Sequence, residues 1–164
     1  MELQTVHPRG LSVSRRDPLH AMVSARAPGL VRRLGAAHRF VYCRSGGRLI
    51  ARWFGLQILV LETVGRRSGQ PRRTPVCYLR EGDNFVVVPA NGGSRRVPAW
   101  WLNLRAAGEG IAVVGSLRRR VRPVLADGER REQLRGRLLV AYPGLEAYLA
   151  RARRNVPIVT LEPV

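Results

Sequence analysis

The segment Gly65 to Pro75 (GRRSGQPRRTP) contains the residue types that bind an anion. Glycine lets the backbone approach a phosphate and turn its N–H groups towards it, hydroxyl groups donate further hydrogen bonds, and arginine is a charged, two-pronged donor. Ser68 and Thr74 supply the hydroxyls, and four arginines supply the charge. The segment predicts an anion-binding loop, although a solvated basic hairpin loop explains the same residues equally well.

A second group of candidate residues follows at Val88 to Asn103, where a Gly-rich turn (PANGG) precedes the start of a helix (PAWWLNL). Aromatic side chains beside a glycine turn suit a flat ring system, and the N-terminus of a helix attracts negative charge. Paired tryptophans at helical positions usually pack into a core. We therefore expect one of Trp100 and Trp101 to pack and the other to line a site.

Signatures of several enzyme classes are absent from the sequence. There is no G-x-S-x-G, CxxC or HExxH motif, and a P-loop is excluded because the chain contains no lysine. Hydrolase, P-loop and zinc chemistry therefore lose their main support, and we expect no metal site. The acidic residues Asp127, Glu129 and Glu132 are explained by the start of a helix, where they complement the helix dipole.

Composition bounds the remaining classes. The chain has 164 residues, 45% of them hydrophobic, and a net charge of +18 with a pI near 11.8, which fits one domain with a sizeable core. Such a charge favours polyanions, namely nucleic acid, acidic lipid or an anionic small molecule, without separating them. The longest apolar run, near Trp53 to Val60, is far too short to span a bilayer, and two cysteines cannot form a disulfide framework. A cytoplasmic protein is expected.

Three elements are predicted in the first part of the chain. Residues 1–28 have the composition of a mobile basic arm, and residues 29–42 have the spacing of a basic amphipathic helix. Residues 29–164 would form a single domain. Its first strand is predicted at Leu56 to Thr63.

The later elements are predicted from periodicity and from turn residues. Strands are expected at Thr74 to Arg80, Phe85 to Pro89, Ile111 to Val114, Arg118 to Ala126 and Val156 to Leu161, and helices at Ala99 to Ala107, from Asp127 to about Tyr142, and after Pro143. Because successive strands follow through short loops, they favour an α+β fold with an antiparallel sheet or small barrel of about six strands and flanking helices.

Five blocks, in order and spacing, resemble the deazaflavin-dependent nitroreductase family, which binds coenzyme F420 on a split β-barrel. They are LETVGRRSGQPRRTPV, YLREGDNFVVVPANGG, PAWWLNL, AYPG and VPIVTLEP, and the resemblance covers roughly Leu49 to Pro163. It implies F420 as cofactor, with FMN as the alternative on the same fold, and an oxidoreductase that passes hydride from reduced F420 to an electron-poor, apolar acceptor. That acceptor would be a quinone, an activated alkene or a nitro compound.

The resemblance also assigns site residues. It implies that Arg67, Ser68 and Arg72 hold the cofactor phosphate, with Arg66 and Arg73 attracting the acidic tail. The other residues implied to contact the cofactor are Gly69, Thr74, Pro75, Val76, Cys77, Val88, Pro89, Ala90, Asn91, Ala99, Trp100, Trp101 and Asn103.

Departures from the family pattern bear on the acceptor. Tyr142 and Tyr148 remain as candidates for substrate contact or proton donation, whereas Leu145 and Cys77 stand where nitroimidazole-reducing members carry tyrosines, and Val97 has replaced a polar residue. Boundary packing explains the two tyrosines equally well. The sequence therefore places nitroreductase activity in doubt.

The remaining alternatives keep the fold without catalysis, or change the class. The chain could be a non-catalytic F420 or FMN binding protein, or a basic nucleic-acid or membrane-surface binder that uses the arm, Arg32, Arg33 and the Arg118 to Arg122 strand. No specific nucleic-acid signature is present. Peripheral contact with an anionic membrane at the inner face, and a homodimer, are further expectations.

Overall fold

Antiparallel strands and three helices make up the computed structural model, which describes residues 52–53 and 56–164. The predicted arm and the predicted helix at 29–42 lie outside the described residues. The elements in chain order are β1 Arg52–Trp53, β2 Leu56–Val64, β3 Pro71–Glu81, β4 Asn84–Val87, α1 Ala99–Ala107, β5 Gly110–Val114, β6 Leu117–Leu125, α2 Gly128–Ala141, α3 Leu145–Ala152 and β7 Val159–Pro163.

Six of the strands close into a barrel. Their order is β2-β3-β4-β7-β6-β5, every pairing is antiparallel, and β5 returns to β2 through Val60↔Val113 and Leu61↔Ala112. Closure pairs the strand edges that an open sheet would leave exposed. The predicted α+β split barrel of about six antiparallel strands is confirmed.

Side-chain alternation divides the apolar residues between two layers. Leu59 and Leu61 point into the barrel and are fully buried there with Phe85 and Leu161. On the outside of the barrel, Val86 packs in a second cluster that contains residues of α2 and α3. The period of two along each strand thus supplies both the barrel core and the face that the C-terminal helices cover.

The predicted boundaries differ from the observed ones mainly at prolines. β3 begins at Pro71, three residues before the predicted start, and β7 begins at Val159, three residues after it. A proline is tolerated as the first residue of a strand because its missing N–H is not needed there, whereas Pro157 cannot donate to a ladder. α1 was predicted at its observed bounds, and β1 was not predicted.

Across the described residues, none of the helices has both the length and the apolar character needed to cross a bilayer.

Candidate functional site

β3 is longer than its neighbour β4, and this mismatch opens one side of the barrel. β3 pairs with β2 from Pro71 to Tyr78, whereas β4 pairs only with Tyr78 to Glu81. The first seven residues of β3 therefore lie beyond the end of β4. They form one side of the opening, and the chain continues from the end of β4 into the turn at residues 88–94.

The β2–β3 loop stands at the end of this opening and is tightly turned. The N–H groups of Ser68 and Gly69 both donate to the carbonyl of Gly65, and the N–H of Gly65 donates to Gln70. Ser68 Oγ accepts from the Arg72 guanidinium at 3.3 Å. A β-carbon at Gly65 would lie 2.6 Å from Ser68 Oγ, so the loop is shaped around that glycine. The N–H groups of Gly65, Ser68 and Gly69 are thus used within the loop, and the arginine side chains are the donors that it offers to an anion.

Asn103 fastens α1 to this loop. Its Oδ1 accepts from the backbone N–H of Arg66 at 3.3 Å and from the Arg66 guanidinium at 3.1 Å. Asn103 is buried, so a polar side chain there needs these partners. The structure therefore brings together two predicted site residues that are 37 positions apart in sequence.

Ion pairing separates the arginines into two groups. On β6, Arg118 pairs with Glu62, Arg119 with Asp83, Arg120 with Glu109 and Arg122 with Glu162. Their charge is therefore largely matched locally, which weakens the prediction that this strand binds a polyanion.

The arginines around the opening have no carboxylate partner within residues 56–164. They are Arg66, Arg67 and Arg72 of the loop, Arg95 and Arg96 after the turn, and Arg151 and Arg154 at the end of α3. Positive charge without local acidic partners favours an anionic ligand there.

Arg73 does not join this group. Its guanidinium lies 2.8 Å from Glu62, which also pairs with Arg118. Arg73 and Glu62 are directly opposite each other on β3 and β2, on the outer face of the barrel. The resemblance implied that Arg73 attracts the acidic tail of the cofactor. Glu62 would compete with that tail for the Arg73 guanidinium.

The consecutive residues Thr74 to Cys77 point to two faces. Val76 is buried in the barrel core with Leu59, its cross-strand neighbour, and Thr74 is on that same inner face. Pro75 and Cys77 alternate to the outer face. A single flat ring can contact the side chains of Thr74 and Val76 or those of Pro75 and Cys77, but not both pairs. The family resemblance did not distinguish between the two pairs.

Both tryptophans of α1 are buried. Trp101 is 4% exposed and Trp100 is 9% exposed, and both belong to the barrel core. Packing of one indole is as predicted, and whether the other lines a site stays a prediction. Ala99, at the start of α1, is exposed.

The turn after β4 adopts an unusual backbone. Asn91, Gly92 and Gly93 have φ values of 52°, 60° and 79°, so three successive residues are left-handed. Pro89 and Ala90 are buried, Val88 is half-buried, and Asn91 is exposed, with its side chain donating to the Arg96 carbonyl at 3.0 Å. The buried residues anchor the turn and leave its tip at the surface.

Tyr142, Tyr148 and Cys77 come together on the outer face. The centres of the two phenol rings are 5.7 Å apart. Burial raises the pKa of Tyr142, the neighbouring Tyr148 hydroxyl and Cys77 raise it further, and Arg151 opposes them. Desolvation also raises the pKa of the Cys77 thiol to about 11, although part of the residue is exposed. Tyr142 and the Cys77 thiol are therefore protonated at neutral pH.

Leu145 and Val97 differ from each other in environment. Leu145 is buried in the cluster beneath α2 and α3, whereas Val97 is 39% exposed in the segment before α1. Leu145 therefore acts as a packing residue.

Two arginines near the end of α3 were missed in the sequence. Arg151 donates to the carbonyl of Gly92 and lies over the Tyr148 ring, and Arg154 donates to the carbonyl of Pro89. Basic residues at a helix C-terminus are commonly explained by the helix dipole, so the sequence offers no signal for these contacts.

Comparison with known proteins identifies the family to which the sequence is similar. The family model described as F420H(2)-dependent quinone reductase matches residues 35–163. A curated protein of Mycobacterium tuberculosis named "Putative F420H(2)-dependent quinone reductase Rv3178" is 31% identical over 105 residues, which cover 64% of this chain and 88% of the relative.

A second curated relative matches a shorter part of the chain. It is the F420H(2)-dependent quinone reductase Rv1261c of Mycobacterium tuberculosis, 39% identical over 70 residues. The match covers 42% of this chain and 47% of that relative, so it spans just under half the relative's length.

Solved structures show the same fold. One described as an F420-H2 dependent reductase has a TM-score of 0.58 at 25% identity, covering 64% of this chain and 93% of that chain. Another, described as a domain-swapped dimer, has the same TM-score and identity and covers 64% of this chain and 79% of that chain.

Proposed function

Because this chain belongs to the F420H(2)-dependent quinone reductase family, we propose that the acceptor it reduces is a quinone. It is an F420-dependent oxidoreductase, and coenzyme F420 is its cofactor, which decides between the two cofactors that the sequence left open. When bound, reduced F420 supplies a hydride. The protein therefore has to bind and orient the cofactor and the acceptor, and to keep water from the reacting groups.

The observation that carries the proposal is the set of arginines around the opening between β3 and β4. Arg67 and Arg72 would hold the phosphate, together with the hydroxyl of Ser68. Arg66 would contribute charge while Asn103 holds its guanidinium. The ring would lie along the start of β3, between the turn after β4 and the tyrosine pair.

The tyrosine pair is suited to an acceptor oxygen. The two phenols are neighbours, and each carries an O–H group that can donate to a ligand. A quinone oxygen gains negative charge as hydride arrives, so a positioned donor stabilises it. The raised pKa of Tyr142 keeps its phenol protonated, and it therefore acts as a hydrogen-bond donor through the physiological range.

A quinone fits better than a nitro compound or an alkene in this proposal. The positions of Cys77 and Leu145 carry no hydroxyl, and Leu145 is buried among residues of α2 and α3. The phenols of Tyr142 and Tyr148 remain as donors, and a carbonyl-type quinone oxygen accepts from such a group. The discriminating experiment supplies reduced F420 with a soluble quinone, a nitroimidazole or an enone and follows the return of oxidised F420 absorbance.

The expected result is quinone-dependent oxidation at least tenfold faster than with the other acceptors, which corresponds to about 1.4 kcal/mol of barrier height. Faster turnover with the nitroimidazole would contradict the quinone assignment. Saturable F420 binding without turnover on any acceptor would support the non-catalytic binding protein instead.

Assembly and location belong to the same proposal. We include a homodimer because a solved relative is described as a domain-swapped dimer. Size-exclusion chromatography with light scattering tests this, and a monomer at all concentrations would contradict it. Contact of the basic arm with anionic membrane at the cytoplasmic face stays a prediction, tested by vesicle binding with and without residues 1–28.

A further inference from the structure

Two arginines of the last helical segment bind the backbone of the turn after β4. Arg154 donates from Nη2 to the carbonyl of Pro89 at 2.6 Å and from Nε to the carbonyl of Ser94 at 3.3 Å. Arg151 donates to the carbonyl of Gly92. The Arg154 guanidinium thus binds both ends of the turn, and the Arg151 guanidinium binds its tip.

The turn needs bonds from outside because it has few of its own. Its internal backbone bonds run from Ala90 to Val88, from Gly93 to Ala90 and from Ser94 to Asn91. Of its three successive left-handed residues, Gly92 and Gly93 adopt this conformation freely, whereas it costs Asn91 about 1 kcal/mol. Contacts from outside the turn help to hold Asn91 in that conformation.

The chemistry of the contact favours a positioning role over simple ion pairing. Arg154 is only half-exposed, and within residues 56–164 its recorded acceptors are carbonyl oxygens, with no carboxylate. The forked guanidinium can reach two carbonyls at once, which the point charge of a lysine cannot do as well.

Arg151 extends the link to the tyrosine pair. Its guanidinium lies 5.1 Å from the centre of the Tyr148 ring. Tyr148 in turn contacts Tyr142. A continuous chain of contacts therefore joins the turn on one side of the opening to the two hydroxyls on the other.

We propose that Arg154, with Arg151, is a positioning residue that sets the distance between the deazaflavin ring, resting on the turn, and an acceptor at the tyrosine pair. This inference rests on the proposed function for the ring's location. Neither arginine belongs to the residues predicted from the sequence to contact the cofactor or the acceptor.

The test compares Arg154→Ala and Arg154→Lys with Arg122→Ala, a matched loss of one arginine that pairs with Glu162 on β6. In the protein without cofactor, hydrogen exchange is measured for peptides spanning residues 88–98. We expect faster exchange in these peptides in both Arg154 variants. In Arg122→Ala, exchange should equal that of the unaltered protein. Exchange equal to that of the unaltered protein in Arg154→Ala would overturn the proposal.

The second readout separates orientation from affinity. With the phosphate loop intact, the Kd for F420 should change less than threefold while kcat falls at least tenfold in Arg154→Ala, or about 1.4 kcal/mol. Added guanidinium, but not methylammonium, should recover part of that kcat. If F420 binding weakens, kcat falls and Tm falls together, and added guanidinium recovers none of the kcat, the role of Arg154 is merely structural and the proposal is overturned.

Failure of the proposed function has a different signature. If the unaltered protein reduces no quinone, the acceptor assignment fails, while faster exchange in the Arg154 variants still supports the hold on the turn. In that case the absorbance band of bound oxidised F420 replaces kcat as the readout, and an unshifted band in Arg154→Ala overturns the positioning role.

Discussion

Gly93 lies so close beneath Arg151 that a β-carbon added to the glycine would be 2.7 Å from Nε of the arginine and 3.0 Å from the Tyr148 carbonyl. Gly93 also has a φ of 79°. The turn after β4 and α3 therefore approach each other at a distance that only glycine allows.

The first prediction follows from this contact. Gly93→Ala should lower the free energy of unfolding by about 2 to 4 kcal/mol, because it adds a clash to the strain of a left-handed alanine. Gly115→Ala is the matched control, since Gly115 is also left-handed but has open space around its Cα. The control should lose only about 1 kcal/mol. Equal losses in urea titrations would show that the close approach is absent.

The second prediction concerns the link between α1 and the anion loop. Asn103→Ala leaves the Arg66 N–H and guanidinium without their acceptor, and a buried polar bond of this kind is worth about 1 to 3 kcal/mol. We expect both a lower Tm and weaker F420 binding. Gln133→Ala on the exposed face of α2 controls for the loss of an amide. Unchanged F420 affinity in Asn103→Ala would mean that the loop keeps its shape without α1.

The third prediction concerns stability at alkaline pH. Burial raises the pKa of the Cys77 thiol to about 11 and raises the pKa of Tyr142, so the folded chain holds these protons more tightly than the unfolded chain. Their contribution to stability is complete below the unfolded values of about 8.5 for Cys and 10 for Tyr, and it is lost as the pH rises above them. Stability should therefore fall through this range.

The sequence makes this test unusually clear, because the chain contains no lysine that would titrate in the same range. Cys77→Ala should flatten the fall of the urea midpoint that begins near pH 8.5, and Tyr142→Phe should flatten the part above about pH 10. Tyr78, whose pKa burial also raises, contributes to the remaining slope. Curves parallel to that of the unaltered protein would contradict the shifted pKa values.

Much of the fold could be predicted because its signals are local. β2 alternates apolar residues between two faces, α1 begins after Pro98 and ends at Gly108, and the turn at Gly82 marks the β3–β4 hairpin. The return of β5 to β2 could not be predicted in this way. It depends on the pairing of Val60 with Val113, for which no local pattern exists.

The candidate site was only partly predictable for the same reason. The loop around Ser68 has the composition that is typical of an anion-binding loop, and the contact between Ser68 and Arg72 is local in sequence. By contrast, the pairing of Arg73 with Glu62 depends on strand register, and the contact of Arg154 with Pro89 joins residues 65 positions apart. The acceptor there is a backbone carbonyl, which every residue possesses and which no sequence pattern marks.

The measurement that tests the central claim most directly is steady-state oxidation of reduced F420 by a soluble quinone, compared among the unaltered protein, Arg67→Ala, Arg72→Ala and Arg122→Ala. Loss of a charged hydrogen bond of about 1.5 to 3 kcal/mol should raise the KM for F420 by at least tenfold in the two loop variants. Arg122→Ala, with the same change in charge but on β6, should match the unaltered protein. Equal KM values in all four proteins would contradict a cofactor phosphate at the β2–β3 loop.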